Sequence, residues 1–354
     1  NYIIFSSTYF NFEETLINGA RDGLTYLEIS RNFPYFIENN FAASHNQRFI
    51  APYIIGFLGY ISDLDLFLIY RIGIFILFFF IFLQTLKVLK FLKIENFDCV
   101  VVFLFIILNP YLIRYYISLP TLINDLIFIL GSIILIDGFL KKKPFIIYLG
   151  LFFSIISRQT GIFFLLSLIV CKIIFKEKFF LKNKDIFLSA LLIFTLIFIN
   201  NFHANIASDK NFFSSHSRDF FGIYYFFKDN FEIKKLIEFL LFPLLSWFPL
   251  IILYFFRKGK LSSFKPIDFY IIISTILIFI QPLLAGPDTA GKNFIRLSNL
   301  SYLMILIFII KNSYFKKLKS KFIYYIFYIF LIIWSMHPTY SKIKTLEFTK
   351  NFIF

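Results

Sequence analysis

The sequence predicts an all-α fold: a polytopic transmembrane helical bundle of about 10–11 spans with a long first external loop. Composition is the first observation behind this prediction. Of the 354 residues, 59% are hydrophobic and only 16% are charged, and the mean hydropathy is +0.77. A soluble domain cannot bury that much apolar surface, so the excess must face lipid. The second observation is that apolar residues form long runs separated by short basic stretches, as membrane spans do.

Ten apolar segments have the character of spans, at about 20 residues each with some shorter. The segment Phe145–Ser157 is too short to cross alone, so it is either tilted or one half of a broken pair around polar residues. The segments are Leu66–Leu86, Phe97–Ile117, Pro120–Leu140, Phe145–Ser157, Gly161–Phe175, Ile186–Phe202, Leu236–Phe256, Phe269–Leu284, Leu297–Ile310 and Phe322–Met336.

The whole chain is expected to be a single integral membrane domain. Residues 1–10 are expected to be the end of a partial first span, and residues 11–65 an external loop with interfacial helices. The transmembrane bundle then covers residues 66–337, and residues 338–354 form a short external tail.

Basic stretches orient the chain, because cytoplasmic loops of membrane proteins are enriched in Lys and Arg. The stretches KVLKFLK, KKK, KEKFFLKNK, RKGK and KNSYFKKLKSK are all predicted to be cytoplasmic. The polar breaks at Ser118, Arg158, 204–235 and Gly286–Arg296 then lie outside. The net charge of +15 is explained by this arrangement, and no nucleic-acid partner is expected.

The segment Phe49–Ile61 decides the direction of the first loop. If it crossed the membrane, Asn11–Arg48 would be cytoplasmic and the truncated first span would run the wrong way. About 13 residues are too few for a comfortable span. We therefore expect this segment to lie along the outer interface, which leaves Asp22 in the external loop.

Cofactor and metal motifs are sparse in this sequence. Cys99 and Cys171 both fall inside apolar runs, which predicts buried free thiols and no disulfide. The four histidines are scattered, and there is no HExxH, CxxC, Walker or GxGxxG pattern. No cofactor is expected with certainty, and a divalent cation stays open.

The stretch RDGLTYLEIS near the start of the chain is unusually polar for its surroundings. It resembles the first-loop motif of the GT-C-fold membrane glycosyltransferases, of the protein-mannosyltransferase and aminoarabinose-transferase kind. In that motif an acidic residue is followed by an aromatic residue about four positions on and then by small residues. Asp22, Tyr26 and Ile29–Ser30 match it.

Further motifs extend the resemblance over about the first half of the chain. NQRFIAPYIIGFLG is similar to the membrane-lying helix of that loop and carries Arg48. Arg71 matches an arginine that is often found near the outer end of the next span. Arg114 and Asp125 flank what looks like the second external turn. SRQTGIFFLLSL resembles a later arginine-containing external turn and carries Arg158.

The resemblance implies a GT-C-like fold in the plasma (inner) membrane, with its active site on the external, periplasmic side. The implied activity moves a sugar from a polyprenyl-phosphate donor to a lipid, glycan or protein acceptor, within membrane lipids. Such a transfer needs a base near the acceptor hydroxyl and cations around the leaving phosphate. We assign Asp22 as catalytic, and Tyr26, His45, Arg71 and Asp125 as supporting. The expected donor-phosphate ligands are Arg48, Arg114, Arg158, Lys292 and Arg296.

Each of these residues also has a structural alternative. Asp22 could form a surface ion pair with Arg21, which would contribute about 0–1 kcal/mol and hardly affect folding. Arg158 and Arg71 could reach the lipid headgroups, and Asp125 could form a purely structural pair with Arg114. His45, Lys292 and Arg296 could belong to ordinary connecting loops.

Two other classes of protein remain open at this stage. An O-antigen-type polysaccharide polymerase or ligase is also polytopic, but it would concentrate its arginines in one large mid-to-late loop. A transporter or flippase would favour internal repeats and paired charges at mid-membrane, and no repeat is visible. We therefore expect the glycosyltransferase.

The predicted topology can be tested by cysteine labelling in sealed cells, with Cys99 and Cys171 replaced by alanine. A membrane-impermeant thiol reagent should label a Ser44→Cys variant directly, because this residue is predicted to lie outside. A Lys142→Cys variant should react only after permeabilisation. Equal labelling of both in sealed cells would contradict the layout.

Overall fold

The chain folds into an all-α helical bundle. A computed structural model describes residues 21–36, 46–109, 112–176, 179–207, 222–259, 265–290, 293–315 and 329–331. The helices are α1 (Arg21–Arg31), α2 (Ile50–Ser62), α3 (Leu66–Phe91), α4 (Asn96–Leu108), α5 (Ile113–Ser118), α6 (Ile123–Lys141), α7 (Pro144–Ser157), α8 (Ile162–Phe175), α9 (Asn183–Ala207), α10 (Ile233–Phe256), α11 (Pro266–Thr289), α12 (Asn293–Ser298) and α13 (Tyr302–Asn312). Short 3₁₀ helices cover Pro120–Leu122, Gln159–Gly161 and Asn299–Ser301, and a further helix covers residues 222–229.

Five of the described helices are long and apolar enough to cross a membrane, and α10 would be a sixth if its two halves, bent by 55°, form one span. Large apolar side chains on α3 and α9, such as Phe79 and Phe198, are exposed, as expected of surfaces that face lipid. The chain is therefore an integral membrane protein by the length and apolarity of its helices. The five are Leu66–Phe91, Pro120–Lys141, Asn183–Ala204, Pro266–Asp288 and Asn293–Asn312.

Over the described residues five or six helices qualify as spans, and the total of 10–11 stays a prediction. Polar breaks divide several other apolar runs into helices of 13 or 14 residues. The run Phe97–Ile117 is split into α4 and α5, since Asn109 is extended and precedes Pro110. Arg158 is also extended, and it separates α7 from the next turn of helix. Whether α7 and α8 form the two halves of one span stays a prediction. The partial first span, the external tail and most of the last predicted span lie outside the described residues.

Helix α6 is at the centre of the bundle, and residues 120–139 are all buried. It packs against α3 and α7. Small residues allow α6 and α7 to approach closely: a Cβ on Gly150 would lie 2.9 Å from the Gly131 carbonyl oxygen and from the Leu135 nitrogen. Close backbone approach through glycine and serine is the usual way in which membrane helices gain packing contacts.

The first described helix, α1, is fixed against α2 and α3 by a buried hydrogen-bond group. The Tyr70 hydroxyl donates to the Tyr26 carbonyl at 3.0 Å and lies 2.7 Å from Ser30 Oγ. Ser30 Oγ also lies 2.7 Å from the Pro52 carbonyl oxygen. A Cβ on Gly56 would overlap with the Ser30 carbonyl oxygen, so the backbones of α1 and α2 are in contact. These contacts set the position of every side chain on α1.

A kink in α11 positions the segment that follows it. Gly286 has a φ of 73° inside the helix, a conformation that favours glycine, and it lies between Pro282 and Pro287. A Cβ at this position would lie 2.7 Å from the Ile223 nitrogen, so the helix over residues 222–229 packs directly on the kink. The chain then turns back into α12, which carries Arg296.

Polar groups at the other end of α6 stabilise the opposite side of the bundle. Asp137 pairs with Lys141 at 2.7 Å and accepts a hydrogen bond from Gln84 at 2.9 Å. Strands β1 (Arg257–Gly259) and β2 (Ser313–Phe315) pair antiparallel. Both strands belong to basic stretches that the sequence predicts to share the cytoplasmic side. Cys99 and Cys171 are free and buried, which confirms the prediction made for them.

The α6–α7 contact can be tested by adding one methyl group. Gly150→Ala should lower the thermal stability of the purified protein, because the new Cβ meets backbone atoms of α6, and overpacking of this kind costs about 1–3 kcal/mol. Gly73→Ala is the matched control, since its Cβ would meet only flexible side-chain ends, the terminal methyls of Ile123 at 3.0 Å and of Ile55 at 3.7 Å. Melting temperatures measured in detergent should fall for Gly150→Ala alone. Equal melting temperatures for the two variants would contradict the close contact.

Candidate active site

Five charged residues from five separate segments meet at the start of α6. They are Asp22 on α1, Arg48 before α2, Asp125 in the first turn of α6, Arg158 between α7 and α8, and Arg296 on α12. We call these residues the charged cluster. All five are buried, with exposed fractions between 2% and 9%.

Arg296 connects the two carboxylates of the charged cluster. Its Nη2 donates to Asp22 Oδ2 at 2.7 Å, and its Nε lies 3.4 Å from Asp125 Oδ2. The Arg158 guanidinium donates to Asp125 Oδ1. Arg48 is held less tightly, because its Nη1 lies 3.8 Å from Asp22 Oδ2. The described ion pairs therefore form one continuous chain from Arg48 to Arg158.

The charge of the cluster is unbalanced. Three guanidinium groups and two ionised carboxylates give a net charge of +1 over these five residues. Burial of charge is costly unless each charge is paired, so an excess cation in such a place favours an anionic ligand. Guanidinium groups are well suited to phosphate, because their N–H donors form a planar fork that matches its oxygens.

Two tyrosines add polar contacts to the charged cluster. The Arg48 Nη1 donates to the Tyr26 hydroxyl at 3.2 Å, and the Tyr116 hydroxyl donates to Asp125 Oδ2 at 3.4 Å. Burial raises the pKa of Tyr26, and the neighbouring Arg48 only partly opposes this effect. Tyr26 therefore stays protonated at neutral pH and keeps a hydroxyl proton to donate.

A row of side-chain amides begins at Arg48 and leads away from the charged cluster. Arg48 Nε donates to Gln159 Oε1 at 3.2 Å, and Gln159 Nε2 donates to Gln47 Oε1. Gln47 Nε2 in turn donates to Asn201 Oδ1 at 2.6 Å. We call Gln47, Gln159 and Asn201 the amide row. Sequence reasoning missed these residues, although Gln47 and Gln159 are each the direct neighbour of an arginine that it did select.

The structure brings together six of the residues that were selected from the sequence: Asp22, Tyr26, Arg48, Asp125, Arg158 and Arg296. Arg71 lies half-buried on α3, and none of the contacts described above involves it. Arg114 lies on α5, but its side chain is outside the described part of the structure. His45 and Lys292 also lie outside the described residues.

Two of the structural alternatives, the surface ion pair of Asp22 and the headgroup contact of Arg158, are wrong because both residues are buried. Asp22 is not a surface residue, since it is only 9% exposed and pairs with Arg296. The expectation that its ion pair hardly affects folding is therefore wrong, because removing one partner of a buried pair destabilises a protein by about 3–5 kcal/mol. Arg158 does not reach toward headgroups, since it is 3% exposed and binds Asp125.

The described residues do not form an evident metal site. Among them, no group of three or more His, Cys, Asp or Glu side chains is placed to hold a metal ion. The two carboxylates of the charged cluster are each in contact with arginines. The chemistry derived below therefore uses only the side chains of the charged cluster and includes no step at a metal.

Comparisons of this chain with protein-family models, with curated proteins and with solved structures gave no match. The resemblance to the GT-C-fold glycosyltransferases consequently rests on the short motifs in the sequence. What the structure adds is that Asp22 of the first motif lies 3.8 Å from Arg48 and that Asp125 and Arg158 of the later motifs pair with each other. Arg296 lies between the two carboxylates.

Proposed function

We propose that this protein is a membrane glycosyltransferase of the GT-C type. It moves a sugar from a polyprenyl-phosphate donor to a hydroxyl of a lipid, glycan or protein acceptor at the external membrane face. The observation that carries the proposal is the contact of Asp22 with Arg296, which also lies against Asp125, the partner of Arg158. A carboxylate and an excess of guanidinium groups are the two requirements of this reaction, and they occur together in one buried cluster.

The reaction needs a proton acceptor and a set of cations, and each has a separate task. The acceptor hydroxyl oxygen forms a bond to the anomeric carbon of the sugar while its proton passes to the Asp22 carboxylate. The bond between the anomeric carbon and the phosphate oxygen breaks, and its electron pair stays on that oxygen. The negative charge that develops there is stabilised by the arginines, because a preorganised cation in a water-poor site acts strongly on a developing charge.

The two carboxylates of the charged cluster are suited to different roles. Asp125 is 2% exposed, binds Arg158 and lies against Arg296, so it holds the cations in place. Asp22 is the more accessible of the two and lies on α1, in the segment that carries the polar first-loop motif. Two acids in different environments commonly divide the roles of a site in this way. Asp22 is accordingly the better placed to meet the acceptor hydroxyl.

Arg48 is the arginine of the cluster best placed to bind the donor phosphate. Its ion pair with Asp22, at 3.8 Å, is the longest of the ion pairs described for the cluster, so its guanidinium is the least committed to a carboxylate. Arg48 also donates hydrogen bonds to Gln159, the first residue of the amide row, and to Tyr26. A phosphate bound at Arg48 would therefore lie beside the Asp22 carboxylate that accepts the proton.

Asp22→Asn should abolish most of the turnover, because removing a positioned general base typically lowers the rate by about 10²–10⁴-fold. The measurement is transfer of a labelled sugar from a polyprenyl-phosphate donor by purified protein in nanodiscs. Asp137→Asn is the matched control, since Asp137 is also buried and paired with a cation but lies at the other end of α6. Both variants should lose stability, and only Asp22→Asn should lose turnover.

A double variant separates the role of Asp22 in catalysis from its role in folding. Asp22→Asn combined with Arg296→Gln removes both charges of the 2.7 Å pair, so it should be more stable than Asp22→Asn alone. It should remain inactive, because the base is still missing. Near-normal turnover by either variant at matched protein amounts would remove the main support for the proposed function.

Arg48→Lys and Arg296→Lys should raise the donor KM by about 10-fold or more, since a hydrogen bond to a charged group contributes about 1.5–3 kcal/mol. Turnover should partly recover at high donor concentration, because these residues bind the donor rather than take the proton. Arg31→Lys is the control, since Arg31 forms an exposed pair with Glu28 on the same helix as Asp22. An unchanged donor KM in both cluster variants would contradict a phosphate-binding role.

A further inference from the structure

The amide row offers a second set of polar groups beside the charged cluster, and the proposed reaction does not use it. It joins three segments: the residue before Arg48, the 3₁₀ helix after Arg158, and the end of α9. Arg48 belongs to both groups, because its Nη1 faces Asp22 and its Nε donates to Gln159. A ligand that spans a few ångströms could therefore contact both groups.

The hydrogen bonds of the amide row all run in one direction, which leaves donors available at its end. Each carbonyl oxygen accepts from the preceding residue, and the nitrogens of Gln159 and Gln47 each donate to the next. A primary amide carries two N–H groups, so one N–H of Gln47 is not used by this row. Within the part of the chain that the structure describes, the Asn201 nitrogen donates to no other group, and this side chain is half-buried rather than sealed.

Aromatic rings lie directly beside the amide row. The His203 ring stacks on the Phe49 ring with a centroid distance of 3.9 Å, and its Nδ1 lies 2.8 Å from the carbonyl oxygen of Asn46, the neighbour of Gln47. Phe36 lies edge-on to His203 at 5.1 Å and is 47% exposed. Aromatic faces carry partial negative charge and attract the polarised C–H groups of a sugar ring.

We propose that the amide row is the sugar subsite, which binds the hydroxyl groups of the donor's sugar unit. This proposal rests on the proposed function, because it places the sugar next to the phosphate that Arg48 binds. In a polyprenyl-phosphate sugar the anomeric carbon is attached directly to the phosphate, so the ring hydroxyls lie within a few ångströms of it. The first side chain of the amide row, Gln159, lies equally close to Arg48, with its Oε1 at 3.2 Å from Arg48 Nε.

The chemistry of the row matches hydroxyl groups better than charged groups. A hydroxyl both donates and accepts, and a primary amide offers both functions without charge. The three amides are neutral, whereas the charges needed for phosphate are concentrated in the cluster. The ligand class is therefore a neutral, hydroxyl-rich pyranoside.

The experiment is saturation-transfer NMR on the purified protein with methyl α-glucopyranoside, methyl α-mannopyranoside and methyl α-galactopyranoside as probes. Wild type should transfer saturation to the ring protons of at least one probe. The fully O-methylated form of that probe should give a much weaker signal, because its methyl groups crowd the oxygens that the spare amide N–H groups would reach. Asn201→Leu and Gln47→Met should weaken the signal several-fold, as loss of a neutral hydrogen bond predicts.

Gln84→Met is the matched control, since Gln84 is also a partly buried glutamine that bonds to another side chain, Asp137. It should leave the sugar signal unchanged. Melting temperatures are measured for all three variants. If the amide row only stabilises the fold, Asn201→Leu and Gln47→Met would lower the melting temperature and leave the sugar signal of the folded protein intact. That result would overturn the proposal. Failure of wild type to give a signal with any of the three glycosides would also overturn it.

The outcomes separate this inference from the proposed function. Loss of transfer in Asp22→Asn, with unchanged sugar binding in the amide variants, would leave the glycosyltransferase standing and remove the subsite. Loss of sugar binding in the amide variants, with normal transfer by Asp22→Asn, would leave a sugar-binding membrane protein without the proposed base. Among variants that transfer sugar, the amide variants should also raise the donor KM more than they lower kcat.

Discussion

The buried ion pairs around Arg296 constrain the rest of this structure. A charge that is removed from water in a membrane protein is tolerated only when a partner lies within contact distance. Arg296 has Asp22 and Asp125 as its partners, and Asp125 is also the partner of Arg158. For these contacts to form, α1, α6, α12 and the break before α8 must converge at one end of the bundle. The close packing of α6 and the hydrogen bonds of Tyr70 maintain that convergence.

Interrupted helices are what make a polar site possible in so apolar a chain. A continuous apolar helix presents no backbone or polar side chain at membrane depth except where it ends. Here Asn109, Arg158 and Gly286 each depart from helical geometry. The charged cluster draws on two of these interruptions directly: one contains Arg158, and the other precedes the helix that carries Arg296. The packing of the uninterrupted helices must offset the backbone hydrogen bonds that are lost at these three points.

The class of fold and most of the residues that meet in the charged cluster were selected from the sequence for definite physical reasons. Apolar run length identified the long helices, and a charged residue at the edge of an apolar run is conspicuous, as Asp125 and Arg158 were. The point at which a run such as Phe97–Ile117 is broken in space could not be predicted, because composition does not reveal it. The partners within the cluster could not be predicted either. Arg114 was the candidate structural partner of Asp125 nearest in sequence, whereas among the described contacts Asp125 binds Arg158 and lies against Arg296. Glutamines gave no signal, because an amide is common in any polar turn.

The distance in sequence between Asp22 and Arg296, 274 residues, has a consequence for biogenesis. At about 5–20 residues per second, the ribosome makes Arg296 on the order of tens of seconds after Asp22. During that interval the first loop and the early spans are already in or at the membrane, while the guanidinium that binds Asp22 at 2.7 Å has not been made. A nascent chain released before α12 would therefore carry Asp22 and Asp125 without the cation that lies between them. In such a chain the two carboxylates would stand buried without their shared cation, so the charged cluster can form only after α12 has been made.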